Sequence, residues 1–405
     1  AQGLNRPFSA SSSPSDMWRW EEWRVEGAPP PPLRSAAAVL VPGGGGAPRV
    51  VLCGGTARRV HAKAHHAAVD VRERCLTWQP LMRPSTALAR HDHLLAALGQ
   101  RVFLFGGCTE GVFHGDTVQI ELGETPRLLP VGLAGDAPGP RSNCTLVPFR
   151  GALWLFGGCR LDRDPIELYN DVFVFDAEGW RIESQDAPPS PRSGHSCVAW
   201  ADRLVVFGGW DGELLMQDVL QGDGRAWAAL APTGRAPSPR ACHSSTLAAR
   251  SRMVVYGGLV NFDPAGEGQA NCVQEGALHV LDLPSLVWSE LQVSGRPPPS
   301  RAFHSMLALP GSCSMLLLGG GTRNDNRGRN FNDCYELRWL CWSPERHCLF
   351  PPSARSRLVG WLLVGNRLRR LPAPLWLRIA AFWVVAWDDV SGSDPPVERG
   401  GPACS

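Results

Sequence analysis

Apolar residues along this chain come in short runs that recur at a nearly constant interval. Six of these runs, "RVVLC", "RVFLF", "ALWLF", "RLVVF", "RMVVY" and "SMLLL", each end on a glycine pair. The pairs are Gly54-Gly55, Gly106-Gly107, Gly157-Gly158, Gly208-Gly209, Gly257-Gly258 and Gly319-Gly320, spaced 52, 51, 51, 49 and 62 residues apart. Runs this short, rich in branched and aromatic side chains, predict buried strands. A further strand is predicted past each pair, clearest in "NDVFVFD" (Asn170 to Asp176) and "ALHVLDL" (Ala277 to Leu283), and a tryptophan follows at Trp78, Trp180, Trp227 and Trp288. Arg34, Arg90, Arg141, Arg192, Arg240 and Arg301 open the units, and His195, His243 and His304 sit three residues into the last three.

A period near 50 residues with about four short strands per unit predicts a β-propeller. One such sheet cannot cover its own faces, whereas sheets stacked in a ring cover each other. The glycine pair would end the second strand where backbones crowd and a positive φ is needed.

The glycine pair after an apolar strand, the later tryptophan and the six-fold recurrence together resemble the kelch repeat, over roughly residues 17–342. The resemblance implies an all-β, six-bladed kelch-type β-propeller. Unit two has no tryptophan near Leu128, and "GTRNDNRGRNFND" stretches unit six. The N-terminal "WRWEEWRVEG" reads as a fourth strand without three before it, so it is expected to complete the blade begun at Arg301; Trp23 lies 11 residues before Arg34. Such a join removes an open sheet edge. Trp342 competes for the same slot, but no glycine pair follows it at the usual interval, so a seventh blade is rejected. Residues 1–16 are expected to be a disordered lead-in and 343–405 a short C-terminal helical extension with a disordered end.

Composition narrows the class. Gly (44) and Pro (36) are abundant in the 405 residues, which favours turns over long helices. The net charge of +2 gives no basic face for nucleic acid. Lys63 is the only lysine, which reads as coding bias. The 13 cysteines are odd in number and form no CxxC, so neither a disulfide framework nor a zinc site is expected, and a reducing compartment, cytoplasm or nucleus, fits. No run reaches the roughly 18 apolar residues of a membrane span. The opening stretch lacks the apolar centre of a secretion leader, and it lacks an initiating Met, as a fragment would.

Strand alternation puts the second-to-third-strand loops and the blade-to-blade linkers on one rim. Those loops are long and irregular, "CRLDRDPIELYN", "WDGELLMQ", "LVNFDPAGEGQANCVQEG" and "GTRNDNRGRNFND", and variable loops on a rigid frame are where recognition is usually placed. Candidate ligand-binding residues are Arg160, Arg163, Trp210, Asp211, Asn261, Phe262, Arg323, Arg327 and Arg329. Arg141, Arg192, Arg240 and Arg301 could line a basic funnel for an acidic peptide; the competing reading is that they brace blades by bonding backbone carbonyls, and the regular repeat favours it. The repeated histidines read as internal hydrogen-bond partners.

Some kelch-like propellers are enzymes. A copper radical oxidase of this architecture needs tyrosine ligands, and only Tyr169, Tyr256 and Tyr335 exist here. The iron motif of plant specifier proteins is broken: Glu167 and Asp171 have its spacing, but Phe175 stands where histidine is needed. "HAKAHH" (His61 to His66) and "RHDH" (Arg90 to His93) read as polar loops. No catalytic set, metal or cofactor is expected.

The tail is helical in character: Leu371, Leu375, Ile379, Phe382, Trp383 and Ala386 share one face, and Pro372 suits a helix start. "LPAPLWLRI" resembles the opening of an F-box, around 371–387, with Leu371, Pro372, Leu375, Ile379 and Trp383 as the partner-facing set. That resemblance implies docking to a ubiquitin-ligase adaptor; the alternative is a helix packed on the propeller or another partner. The expected function is a protein-binding module, in its sharpest form the substrate receptor of a ubiquitin ligase. A metal-dependent kelch-type enzyme and a cytoskeletal or transcriptional scaffold are the alternatives.

Overall fold

The computed structural model describes residues 18–339, apart from 44–46, 58–59, 133–134, 250, 261–270, 273–276, 292, 311 and 323–327. The chain divides into two compact units, Arg19–Arg338 and a second made of residues 1–18 and 339–405. Of the second unit only Trp18 and Trp339 are described, with their rings 4.9 Å apart.

Among the described residues the fold is all-β, the one helical turn being the 3-10 turn Thr86–Leu88. Six antiparallel sheets follow one another along the chain as the blades of a propeller. Blade three shows the plan: Thr145–Phe149 pairs with Ala152–Phe156, which pairs with Val172–Asp176, which pairs with Gly179–Glu183. The six apolar runs are the second strands, and the glycine pairs follow them.

The core lies between blades, not within them. Val50, Leu52 and Leu76 of blade one pack with Leu316 and Leu318 of blade six, while Val51 and Cys53, on its other face, pack with Val102 and Leu104 of blade two. This is why the second strands are apolar without alternation: both of their faces are covered.

Blade six consists of Ser305–Ala308, Ser314–Leu318, Cys334–Trp339 and, outermost, the N-terminal strand Trp18–Glu22. The ring therefore closes with the N-terminal strand. Trp342 lies outside the described residues. Trp20, however, holds the tryptophan position of that strand, not Trp23: Gly295 packs on the Trp20 carbonyl just as Gly27, Gly135 and Gly234 pack on those of Trp78, Trp180 and Trp288. These four glycines sit where each linker runs parallel to the next blade's outer strand. Each lies six residues before the blade's opening position, a sequence signal that the glycine pairs overshadow.

The opening position of blade one is Leu33, not Arg34. The second glycine of each pair donates its N–H to the opening residue of the next blade: Gly55 to Arg90, Gly107 to Arg141, Gly158 to Arg192, Gly209 to Arg240, Gly258 to Arg301, and Gly320 to Leu33. Matching by residue type had placed blade one a single residue out of register.

The strain at the pairs is specific. Gly258 has φ of 102°, and a Cβ there would lie 2.8 Å from the His243 Cβ and 2.9 Å from the Ala241 carbonyl oxygen. Gly99 also has a positive φ, 65°, but a Cβ there meets nothing within 4 Å. Gly258→Ala is therefore expected to cost about 3 kcal/mol, against about 1 kcal/mol for Gly99→Ala, in urea denaturation. Equal losses would show that crowding between blades is not the reason for the glycine pair.

Candidate functional site

Five opening arginines are buried, at 0–2% exposure. Each donates from Nη1 to the carbonyl of the first glycine of its own pair: Arg90 to Gly106 (2.9 Å), Arg141 to Gly157 (3.3 Å), Arg192 to Gly208 (3.2 Å), Arg240 to Gly257 (3.0 Å) and Arg301 to Gly319 (2.8 Å). Four also grip a carboxylate with both terminal nitrogens: Arg90 with Asp116, Arg141 with Asp171, Arg192 with Asp218 and Arg301 with Asp333. Burial works against the Asp116 carboxylate, but the Arg90 bonds outweigh it and hold the group below its ordinary range. Of the two readings of Arg141, Arg192, Arg240 and Arg301, a ligand-facing funnel or braces, the geometry gives the braces: their donors go to the glycine carbonyls and to aspartates or, for Arg240, to Ser238.

Blade five breaks the pattern. Ala277 precedes its third strand at the place Asp116, Asp171 and Asp333 hold in theirs, and among the described residues no carboxylate pairs with Arg240. Burial pulls this guanidinium down to about 10.

Inside the braces runs a closed circle of backbone hydrogen bonds. Asp92 donates to Ser35 (3.1 Å), Asn143 to Asp92 (3.1 Å), Gly194 to Asn143 (2.8 Å), Cys242 to Gly194 (2.7 Å), Phe303 to Cys242 (3.0 Å) and Ser35 to Phe303 (3.1 Å). All six residues have φ between 53° and 63°. The circle adjoins a cavity of about 220 Å³ lined by all six blades, His93, His195, His243 and His304 among the lining residues.

Three of those histidines link neighbours. The Nε2 of His195 lies 3.1 Å from Thr145 Oγ1, that of His243 2.8 Å from Ser196 Oγ, and that of His304 2.6 Å from Ser244 Oγ, in each case one blade back. His93 occupies the equivalent place in blade two, so "RHDH" is not a polar surface loop: Arg90 and His93 are buried. Burial, then the arginine of the same blade, pulls His93, His195 and His304 down to about 3 and His243 well below the usual range. "HAKAHH" is not a loop throughout: His65 and His66 belong to the strand Ala64–Asp70, and His61 Nε2 sits 3.1 Å from His65 Nε2. Among the described residues no three His, Cys, Asp or Glu side chains converge as metal ligands.

The loop rim carries small hairpins above the glycine pairs. Cys108–Thr109 pairs with Val112–Phe113, Cys159–Arg160 with Glu167–Leu168, and Leu259–Val260 with Asn271–Cys272; in blade four the strands Arg203–Trp210 and Leu215–Gly222 run on into the hairpin. Arg160 is ion-paired to Asp162 at 2.9 Å and the exposed Arg163 lies 4.0 Å from Glu167. Trp210 is only 6% exposed, so it supports its hairpin from below. Asp211 is exposed and caps the turn, accepting from the N–H groups of Glu213 and Leu214. Arg329 is exposed and lies over the Phe331 ring. Asn261, Phe262, Arg323 and Arg327 lie outside the described residues, as do Leu371, Pro372, Leu375, Ile379 and Trp383. Sequence reasoning passed over the largest apolar exposures at the hairpin tips: Val112 (62%), Leu161 (51%), Ile166 (43%) and Leu214 (69%).

The described residues form an all-β, six-bladed propeller, and the chain is similar to kelch-repeat proteins. Residues 124–320 match the KLHDC2/KLHL20/DRC7 Kelch-repeats domain. Adagio protein 3 of Arabidopsis thaliana is 34% identical over 256 residues, 58% of this chain and 39% of that protein. The Rab9 effector protein with kelch motifs of Bos taurus is 32% identical over 226 residues, 51% of this chain and 56% of that protein. The chain thus spans about half or less of the length of these relatives. The solved structure of YjhT superposes with a TM-score of 0.59 at 15% identity, covering 76% of this chain and 96% of its own, and shows the shared fold.

Two outcomes follow from the buried charges. Arg301→Ala strips a partner from the Gly319 carbonyl and Asp333 and is expected to cost about 3–5 kcal/mol, whereas Ala277→Asp supplies Arg240 with a carboxylate and is expected to add about 1–2 kcal/mol; both are read by urea denaturation, and a destabilising Ala277→Asp contradicts the brace reading.

The histidines make stability depend on pH. Each is held neutral in the fold and takes a proton only on unfolding, so its contribution is complete above pH 6.5 and is lost as the pH falls from 6.5 toward about 3. The melting temperature should drop as the pH falls below about 6.5, and His304→Gln should make that drop shallower by about one proton, or about 1.4 kcal/mol per pH unit.

Proposed function

We propose that this chain is a non-enzymatic protein-interaction module, which holds a protein ligand on the hairpin rim and recruits a second partner through residues 343–405. The observation that carries this reading is the contrast between frame and rim. The opening arginines and the inner backbone circle of the frame are bonded within the ring, while the rim presents long, unequal hairpins with large apolar side chains in solvent. Exposed apolar clusters on a rigid support are a feature of association surfaces. A relative whose name makes it an effector with kelch motifs fits the same use of the fold.

In its sharper form the chain is the substrate receptor of a ubiquitin ligase in the cytoplasm or nucleus, with the F-box-like segment around 371–387 as the adaptor contact. The test is affinity purification of the chain with and without residues 343–405. Cullin-complex subunits that co-purify with the full chain and vanish on truncation support the receptor; their absence from both samples rejects it.

A further inference from the structure

The rim hairpins of blades two, three and four differ in kind from a basic funnel. Their tips place Val112, Leu161, Ile166 and Leu214 in solvent. All four follow a glycine pair and precede a third strand, so they stand on the same rim in consecutive blades. Blades three and four meet there: a Cβ on Gly212 would lie 2.9 Å from Leu168 Cδ1. Blades two and three are tied beside it by the bond from the Arg141 N–H to the His114 carbonyl.

The charge around this arc is acidic. Between residues 108 and 115, 159 and 170, and 210 and 217 stand Glu110, Asp162, Asp164, Glu167, Asp211 and Glu213, against Arg160 and Arg163. The two arginines face carboxylates of their own hairpin, Asp162 and Glu167. Among the described residues no cation pairs with Glu110, Asp164, Asp211 or Glu213. The guanidiniums that would reverse this balance, Arg90, Arg141 and Arg192, are buried beneath it with Asp116, Asp171 and Asp218. An acidic ligand would meet repulsion here, while a basic one would be attracted over about a Debye length and then bury the apolar tips.

We propose that the hairpin tips of blades two to four form a docking arc for a segment of a partner protein in which lysine or arginine alternates with large apolar residues. This rests on the rim reading above and gives it a ligand chemistry.

A random peptide library displayed on phage, panned on the full chain and counter-selected on a Leu161→Ser, Ile166→Ser, Leu214→Ser variant, tests it. These side chains are exposed, so the variant should keep the wild-type melting temperature, which is checked first. Enriched peptides are expected to combine Lys or Arg with Leu, Phe or Trp. They should bind the variant at least about tenfold more weakly, and bind the full chain more weakly as salt rises from about 50 to about 300 mM. Acidic enriched peptides, or peptides that bind the variant equally well, overturn the docking arc while leaving a protein-binding rim in place. Enrichment on neither form also overturns the arc, and the purification experiment then judges the module reading on its own.

Discussion

Six backbone hydrogen bonds in a circle hold this molecule together. Ser35, Asp92, Asn143, Gly194, Cys242 and Phe303 each give an N–H to one neighbour and a carbonyl to the other, so each bond belongs to two blades. Five of the six are not glycine, yet all adopt positive φ. An ordinary residue resists that conformation by about 1 kcal/mol or more. The circle persists because the alternative is worse. A residue in the usual region would turn its N–H away and leave buried donors and acceptors unpaired, which costs about 1–3 kcal/mol for each group. Closure also explains the dependence on number: a missing blade breaks two bonds and exposes two apolar sheet faces.

The arginine braces are the second consequence. Where the chain enters each blade it must satisfy a glycine carbonyl at the crowded end of the second strand. A fork of N–H groups does this and also reaches the aspartate that starts the third strand. Burying a guanidinium is unfavourable unless nearly every donor is used. Blades three, four and six meet that condition with a carboxylate, and blade five with the carbonyl and hydroxyl of Ser238; blade two has the carboxylate but leaves Arg90 Nε unbonded among the described residues. Blade one dispenses with the cation by having Leu33 at the opening place.

Much of this was legible in the sequence, for a definite reason. The glycine pairs and the apolar runs recur because each blade solves the same packing problem, and the six-fold fold with its N-terminal closing strand follows from their spacing. What escaped was pairing across distance. Each aspartate partner lies 26–32 residues from its arginine, beyond the second-to-third-strand connection whose length varies, so nothing in the local pattern announces it. The regular repeat pointed to a brace on a backbone carbonyl, but not to the carboxylate that completes it. Register failed in the same way: Arg34 matched by residue type, although the backbone bond from Gly320 selects Leu33. At the rim, Trp210 looked like a contact residue but packs beneath its hairpin, while Leu214, four residues on, stands in solvent.

Frame and rim therefore answer to different constraints. In the frame a change of residue must preserve a bond to another blade, which leaves few substitutions open at the glycine pairs, the braces or the inner circle. The hairpins above are tied to the ring at their bases, through pairs such as Ser142 with Cys159 and Ser193 with Trp210, and among the described residues no such bridge ties the tips of the hairpins in blades two to four to the ring. Length, charge and apolar content can change there without disturbing the circle. The acidic, apolar tips of blades two to four are therefore not set by what holds the ring together. No part of the folding problem calls for Val112, Leu161, Ile166 and Leu214 to face water, and their standing together on one rim is the ground on which the docking arc is proposed.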